Sequence, residues 1–338
     1  MSGYSRGLPG SHQLRRSRKP IRIASRQSHL AQSQAQWVGE TLSRLHGGLA
    51  VEYQWVTSDG DIASRQGNGA NKGLKGMFTR AVERRVADKR SDFAVHSLKD
   101  LPTEETPGLR LAAIPVRADA RDCLITRGDV ARIEDLPRHA IFGTSSPRRA
   151  AQVRRIRPDV KIVPLRGNIE TRLRKVLQDN ECDATMLAVA GLQRSGLGEH
   201  VRHILDPGMV LPAAGQGALA IQCGFDNHAA LIRCLPLNDA VTAAAVHAER
   251  QIVAGLEGDC HSPIGVYAES VEHEGRAGYR LRARVLSPDG STCIEADDSD
   301  TVKGVRKLVR RVLDALLDQG AARLLSQSRN AGERGPFD

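Results

Sequence analysis

Aromatic residues make up only 3% of this 338-residue chain, so platforms on which nucleic-acid bases could stack are scarce. Cysteine is sparse as well. The six thiols, at positions 123, 182, 223, 234, 260 and 293, form no CxxC pair and fall far short of the density of a disulfide-stapled secreted domain. That usage points to free thiols in a reducing cytoplasm. The longest charge-free stretch, Pro207 to Phe225, contains Pro212, Gly215, Gly217 and two glutamines, which rules it out as a membrane-spanning helix. A GxxxxGK[ST] phosphate loop, a tight acidic cluster for a nucleotide's magnesium and a second Cys/His pair at zinc-ligand spacing are missing too. Among the 49 basic residues only nine are lysine. Arginine suits planar, two-pronged recognition of carboxylate or phosphate, although GC-rich coding produces the same excess.

What is present is globular: 40% hydrophobic and 26% charged residues, over a length that suggests two or three domains. The net charge of +10 is unevenly placed. Half of it sits before residue 20, in a Gly, Ser and Arg rich stretch with no apolar segment of a secretory signal, which reads as a disordered basic tail over 1–19. In the rest, Thr144 to Lys175 carries ten basic residues against Asp159 and Glu170. The folded part is otherwise nearly neutral.

From Pro20 onward, short β-rich runs alternate with helical stretches: Ile21–Ser25, His29–Leu45, Val51–Thr57, Met77–Asp88, Asp92–Val95, then again from Cys123 to Val189. This is the grammar of two successive α/β units. The final third differs. A helix near Ala243–Leu256 precedes strands near Ile264–Glu269, Tyr279–Leu286 and Ser291–Ala296, then a helix with Val302, Val305, Val309, Val312 and Leu316 at helical spacing, a small α+β domain. Between Ser58 and Gly76 the Gly and Asn content predicts a mobile loop of the kind that serves as a lid. No internal sequence repeat is visible.

Chemistry concentrates at strand ends. Arg26 and Ser28 follow the first strand, where open α/β sheets bind ligands. Ser97, Lys99 and Asp100 follow another, with a carboxylate able to stabilise a developing cation. On these residues alone a surface ion pair is the more favoured reading of Lys99 and Asp100, and His96 reads as a packed histidine. In Phe142-Gly-Thr-Ser-Ser-Pro-Arg-Arg149, Pro147 opens a helix whose first turn carries Arg148 and Arg149. Two cations there oppose the helix dipole, a cost that an anion would offset. Arg166 and Arg172 stand at one more strand-to-helix junction. Together they describe a polyanion cleft between two α/β domains, for carboxylates more than nucleotide phosphates. Cys260 lies in a Gly/Pro-flanked loop, accessible for reaction, though structural cysteines are the commoner case.

Taken in order, RIASRQS, KGMF, HSLKDLP, GTSSPRR, LRGNIETRL, LAVAGLQRSGL, LPAAGQGALAIQC and LEGDCHSPIG resemble the porphobilinogen deaminase (hydroxymethylbilane synthase) family over about residues 20 to 325. The resemblance implies a transferase of tetrapyrrole, porphyrin and heme biosynthesis. It would join four porphobilinogen molecules head to tail on a covalently bound dipyrromethane primer, releasing ammonia and linear hydroxymethylbilane. It implies two periplasmic-binding-protein-like α/β lobes and a small α+β C-terminal domain with a three-stranded antiparallel sheet. The corresponding boundaries are 20–116 with 217–236, 120–211, and 240–326. Cys260 matches the thioether anchor of the dipyrromethane and Asp100 the catalytic carboxylate. Arg26, Ser28, Lys75, Phe78, Ser97, Lys99, Thr144, Ser146, Arg148, Arg149, Arg166, Arg172 and Gln216 match the set that holds cofactor and substrate, with no metal. The same resemblance implies a cytoplasmic monomer whose partner is its small-molecule substrate, with neither nucleic acid nor membrane. One departure stands out: where the family often has Gly-Gly-Cys, this chain has Gly258-Asp259-Cys260. An aspartate beside the thiol disfavours thiolate and would slow cofactor attachment. A carboxylate-binding protein without the chemistry and a nucleic-acid binder using the basic segment are the competing readings; the first has no use for Asp100 and Cys260.

Overall fold

The computed structural model describes residues 19–58, 76, 78–128, 130–259 and 261–331. The expected tail over 1–18, most of the expected lid with Lys75, and Cys260 lie outside the described residues.

The chain opens with β1 (Ile21–Arg26), α1 (His29–Leu45), β2 (Val51–Val56), α2 (Arg80–Ala87), β3 (Phe93–Ser97) and β4 (Leu109–Ala113). β1 pairs in parallel with β2 and β3, and parallel strands need cover on both faces. Helix α1 supplies one cover, setting Ala35, Val38 and Leu42 against Ile21, Ile23, Phe93 and Val95. Helix α2 supplies the other with Val82 and Val86 against Ala24 and Ala94. These positions recur at helical spacing, so each helix presents one apolar stripe.

Residues 114–121 cross to a second sheet made of β5 (Asp122–Thr126), β6 (Ile141–Gly143), β7 (Lys161–Val163), β8 (Ala184–Ala188) and β9 (His203–Ile204). Its helices are α3 (Pro147–Ile156), α4 (Ile169–Leu177) and α5 (Val189–Arg194). The chain then returns through 205–218 and inserts β10 (Leu219–Gly224) into the first sheet, followed by α6 (His228–Cys234). The two strand orders, β2-β1-β3-β10-β4 and β7-β6-β8-β5-β9, follow one pattern. Three parallel strands are followed by one antiparallel strand that has arrived from the other lobe, then by an antiparallel edge strand.

The two crossings touch. Ala118 N–H donates to the Gly217 carbonyl at 3.2 Å. Gly217 has φ +86, and a Cβ there would lie 2.5 Å from the Ala118 carbonyl oxygen. Only glycine meets both conditions.

The last third holds α7 (Ala240–Gly255), the antiparallel β11 (Ile264–His273), β12 (Arg276–Leu286) and β13 (Cys293–Thr301), then α8 (Val305–Asp318) and α9 (Ala321–Ala331). Ile252, Val266, Leu281, Val285, Leu308, Val312 and Leu316 form its core. Val302, expected in the last amphipathic stripe, sits in a preceding 3-10 turn and is exposed. Among the described residues no single helix is long and apolar enough to cross a membrane.

One buried carboxylate ties this third to the crossings. Glu249 of α7, fully buried, accepts from Arg117 at 2.6 and 3.1 Å, from Gly215 N–H at 2.6 Å and from Ala268 N–H at 2.9 Å. Removing one partner of a buried pair leaves the other charge uncompensated. Glu249→Ala is therefore expected to lower the stability by about 3–5 kcal/mol. Denaturant unfolding measures it; a loss below about 1 kcal/mol would show that the pair is dispensable.

Candidate active site

Each α/β sheet sends its functional side chains out at the ends of its central strands. Arg26 ends β1, half-buried, its guanidinium 4.4 Å from the centroid of the exposed Phe78 ring. Ser28 stands next at the head of α1 and makes no side-chain cap. After β3 comes a 3-10 turn, Leu98–Asp100. Leu98 is fully buried among Leu101, Ile114, Ala218 and Val246. That anchor turns Lys99 and Asp100 towards the cleft, the first half-buried and the second exposed. Ser97 is occupied within its own lobe, bonded to the Gln34 side chain at 2.9 Å.

In the second lobe β6 ends at Gly143, where a Cβ would lie 2.6 Å from the Cys182 sulfur. Thr144 Oγ1 accepts from Ser146 N–H at 3.1 Å, and the Ser146 side chain caps α3 by accepting from Arg149 N–H at 3.4 Å. Arg148 and Arg149 are buried in the first turn. The anion that their position demanded turns out to be internal. Asp122, the first residue of β5, accepts from Arg148 Nη2 at 2.8 Å and Arg149 Nη2 at 2.7 Å. Arg148 Nη1 also donates to the Leu211 carbonyl at 2.6 Å, while Arg149 Nε is buried with no hydrogen-bond partner among the described residues. Gln216, from the second crossing, donates to Asp122 at 3.0 Å and to the Ala120 carbonyl at 2.7 Å, and its Oε1 accepts from Lys99 Nζ at 3.3 Å. Arg172 donates through Nε to the Gly167 carbonyl at 2.9 Å, and Arg166 is exposed.

These neighbours set the local acidities. Burial opposes ionisation of Asp122, but the Arg148 and Arg149 guanidiniums outweigh it and hold the carboxyl well below its usual range. Burial and then Arg149 push Lys99 down to about 8, against Asp100 and Asp122, which favour its charge. Burial, followed by Arg149, brings Arg172 down to about 10, with Asp100 opposing. His96 is a packed histidine as expected, pushed to about 4 chiefly by burial.

A cavity of about 110 Å³ joins all three parts of the fold. Lys99 and Asp100 line it from the first lobe, Ser146 and Arg148 from the second, and Gly258, Asp259 and Ser262, the neighbours of residue 260, from the third. Arg250 lines it too, donating to the Leu101 and Pro102 carbonyls at 3.0 and 2.6 Å and so bracing the turn that carries Asp100. The Asp259 carboxylate accepts from His261 N–H at 2.9 Å and Ser262 Oγ at 3.0 Å. Arg26, Ser28, Phe78, Ser97, Thr144, Arg149, Arg166, Arg172 and Gln216 do not line this cavity. Sequence reasoning overlooked Asp122, Arg250 and Arg194, which bonds the Gly217 carbonyl at 2.9 Å. The paired arginines at a helix start were the signal for Asp122, but they could not say which residue supplied the anion.

Two α/β lobes and a small third domain meet at a cleft that sets Lys99, Arg148 and Arg250 beside the exposed carboxylates of Asp100, Glu104 and Asp259, the layout of a multidomain enzyme. The comparisons sharpen this. A family model described as porphobilinogen deaminase, dipyromethane cofactor binding domain, matches residues 21–231, and one described as porphobilinogen deaminase, C-terminal domain, matches 243–318. A porphobilinogen deaminase of Thermobifida fusca is 41% identical over 320 residues, 92% of this chain and 98% of that one. The chain belongs to the porphobilinogen deaminase family. Solved structures with partial likeness include a TRAP periplasmic solute binding protein of Pseudomonas aeruginosa with bound L-malate. It is 12% identical, with TM-score 0.37, over 69% of this chain and 85% of that one. The L-cystine solute receptor of Neisseria gonorrhoeae is 10% identical, with TM-score 0.36, over 72% and 94%. At such scores they add no argument, and the fold rests on the strand orders above.

The lowered proton affinity of Lys99 is directly measurable. In ¹³C-lysine NMR of the full chain, one resonance, lost in Lys99→Met, is expected to titrate near 8 while surface lysines titrate near 10.4. A Lys99 midpoint near 10.4 would show that its surroundings leave the ammonium undisturbed.

Proposed function

We propose that in this transferase, which joins porphobilinogen units into hydroxymethylbilane, Asp100 is the catalytic carboxylate and Cys260 carries the dipyrromethane through a thioether. Arg26, Ser28, Lys75, Phe78, Ser97, Lys99, Thr144, Ser146, Arg148, Arg149, Arg166, Arg172 and Gln216 form the binding set. The observation that carries the reading is the shared cavity, in which Asp100 and Lys99 face the residues flanking position 260.

The donor set fits the cofactor. A dipyrromethane bears acetate and propionate side chains, and the cleft offers guanidiniums, an ammonium and hydroxyls, with Arg149 Nε buried and unpartnered among the described residues. When bound, the group supplies the growing end to which each new pyrrole is joined. The chain's own residues do the rest. Arg148, Arg149, Arg172 and Lys99 neutralise and orient the carboxylates of the substrate. Asp100, exposed to the cavity, stabilises the cation that forms as ammonia leaves the aminomethyl carbon of porphobilinogen, and then accepts the proton released when the new carbon–carbon bond is made. The Cys260 sulfur bonds once to an electrophilic methylene carbon and gives up its proton.

The same reading assigns the domains as 20–116 with 217–236, 120–211, and 240–326, supported by one sheet in each, and keeps the protein a cytoplasmic monomer without nucleic acid or membrane. The alternative of a pure carboxylate binder is disfavoured by the family match over both domain models.

Intact mass spectrometry of the recombinant protein is expected to exceed the sequence value by two linked pyrroles, an excess absent from Cys260→Ala. An unmodified wild-type chain that cannot be loaded by added porphobilinogen would remove the anchor assignment. Asp100→Asn is expected to retain the mass excess and the fold while kcat falls on the order of 10²-fold or more; near-normal turnover would reassign the catalytic carboxylate.

A further inference from the structure

The first residue of β5 has no place in the chemistry above, yet Asp122 is the side chain on which most of the cation cluster converges. Its carboxylate is fully buried and takes three hydrogen bonds, from Arg148 Nη2, Arg149 Nη2 and Gln216 Nε2. Gln216 in turn accepts from the Lys99 ammonium. An acid serving only to neutralise a base would meet one base. Here one carboxylate meets two buried guanidiniums, which leaves a net positive charge in a region closed to water, an arrangement costly to folding unless a further anion uses it. Apolar residues of similar size would hold the lobe together at less cost.

We infer that Asp122 is a positioning residue of the carboxylate-binding cleft, fixing Arg148 and Arg149 side by side and, through Gln216, aiming the Lys99 ammonium. The inference rests on the reading that these cations hold the carboxylates of porphobilinogen and of the growing chain. Asp122 does not touch the substrate; it acts through three residues that do. Two consequences follow from its charge. The guanidiniums lose their orientation when the carboxylate is replaced by an amide, because an amide offers one acceptor oxygen to two donors. The charged groups that face Lys99 are Arg148, Arg149, Asp100 and Asp122, so removing the last makes its surroundings more positive and releases its proton at lower pH.

The test compares Asp122→Asn with the wild type as full-length, primer-loaded enzymes, following hydroxymethylbilane formation across pH. The expected result is a folded variant whose KM for porphobilinogen rises about tenfold or more, and whose alkaline limb of kcat/KM moves to lower pH. A folded variant with unchanged KM and an unmoved limb, whatever its yield of active protein, overturns the inference and leaves Asp122 a structural pair. If Asp122→Asn does not fold, Gln216→Met decides. It leaves the carboxylate with its arginines while removing the amide's bonds to Asp122, the Ala120 carbonyl and Lys99; an alkaline limb shifted to lower pH supports the inference and an unmoved one overturns it. Wild-type enzyme that makes no hydroxymethylbilane would instead refute the functional reading and the inference with it.

Discussion

Confining several cations of one sign around a single cleft is the constraint that organises this molecule. Arg148 and Arg149 are buried, and Lys99 and Arg172 are held where burial and the Arg149 charge lower their affinity for protons. Left unanswered, such a cluster would push the lobes apart. Asp122 answers it inside the cleft, and Glu249 does the same for Arg117 at the crossings. Both carboxylates are fully buried, and both bond groups from separate elements. The folded chain thus meets part of the positive charge with its own anions and leaves part of it unanswered.

The same carboxylates sit where the chain passes between lobes. Asp122 begins the strand that follows the first crossing, and Glu249 holds Arg117 from that crossing together with Gly215 from the second. The crossings touch at Ala118 and Gly217. Any change in the angle between the sheets must bend these segments, which also carry Gln216 into the cation cluster. A relative movement of the lobes is therefore felt at Lys99 and Arg148 through one or two hydrogen bonds. Such coupling suits a cleft whose contents lengthen as units are added.

Much of the local structure was legible because it follows from short-range rules. The helix His29–Leu45 formed over the residues expected of it, and Pro147 after a run of hydroxyls marked a helix start with Ser146 as its cap. Helix α2 begins later than its pattern suggested, at Arg80 rather than Met77. The strands β4 and β10 were not read from periodicity, since β10 lies in a stretch broken by Gly215 and Gly217 and pairs with strands more than a hundred residues away in sequence. The matched strand orders of the two lobes were equally hidden. They repeat in pairing, which depends on backbone hydrogen bonds, and not in side-chain identity.

The sequence by itself determined the family and the α/β character of two thirds of the chain, and it pointed to the carboxylate, thiol and cations proposed to carry the chemistry. All of these are carried by residue type and local order, which a linear string preserves. Only the tertiary structure decided which anion Arg148 and Arg149 meet, that Gln216 joins Asp122 to Lys99, and that Asp100 shares a cavity with the neighbours of residue 260. Those are contacts between residues distant in sequence. Their partners are chosen by how the sheets pack and where the crossings run, so no local pattern of residues records them.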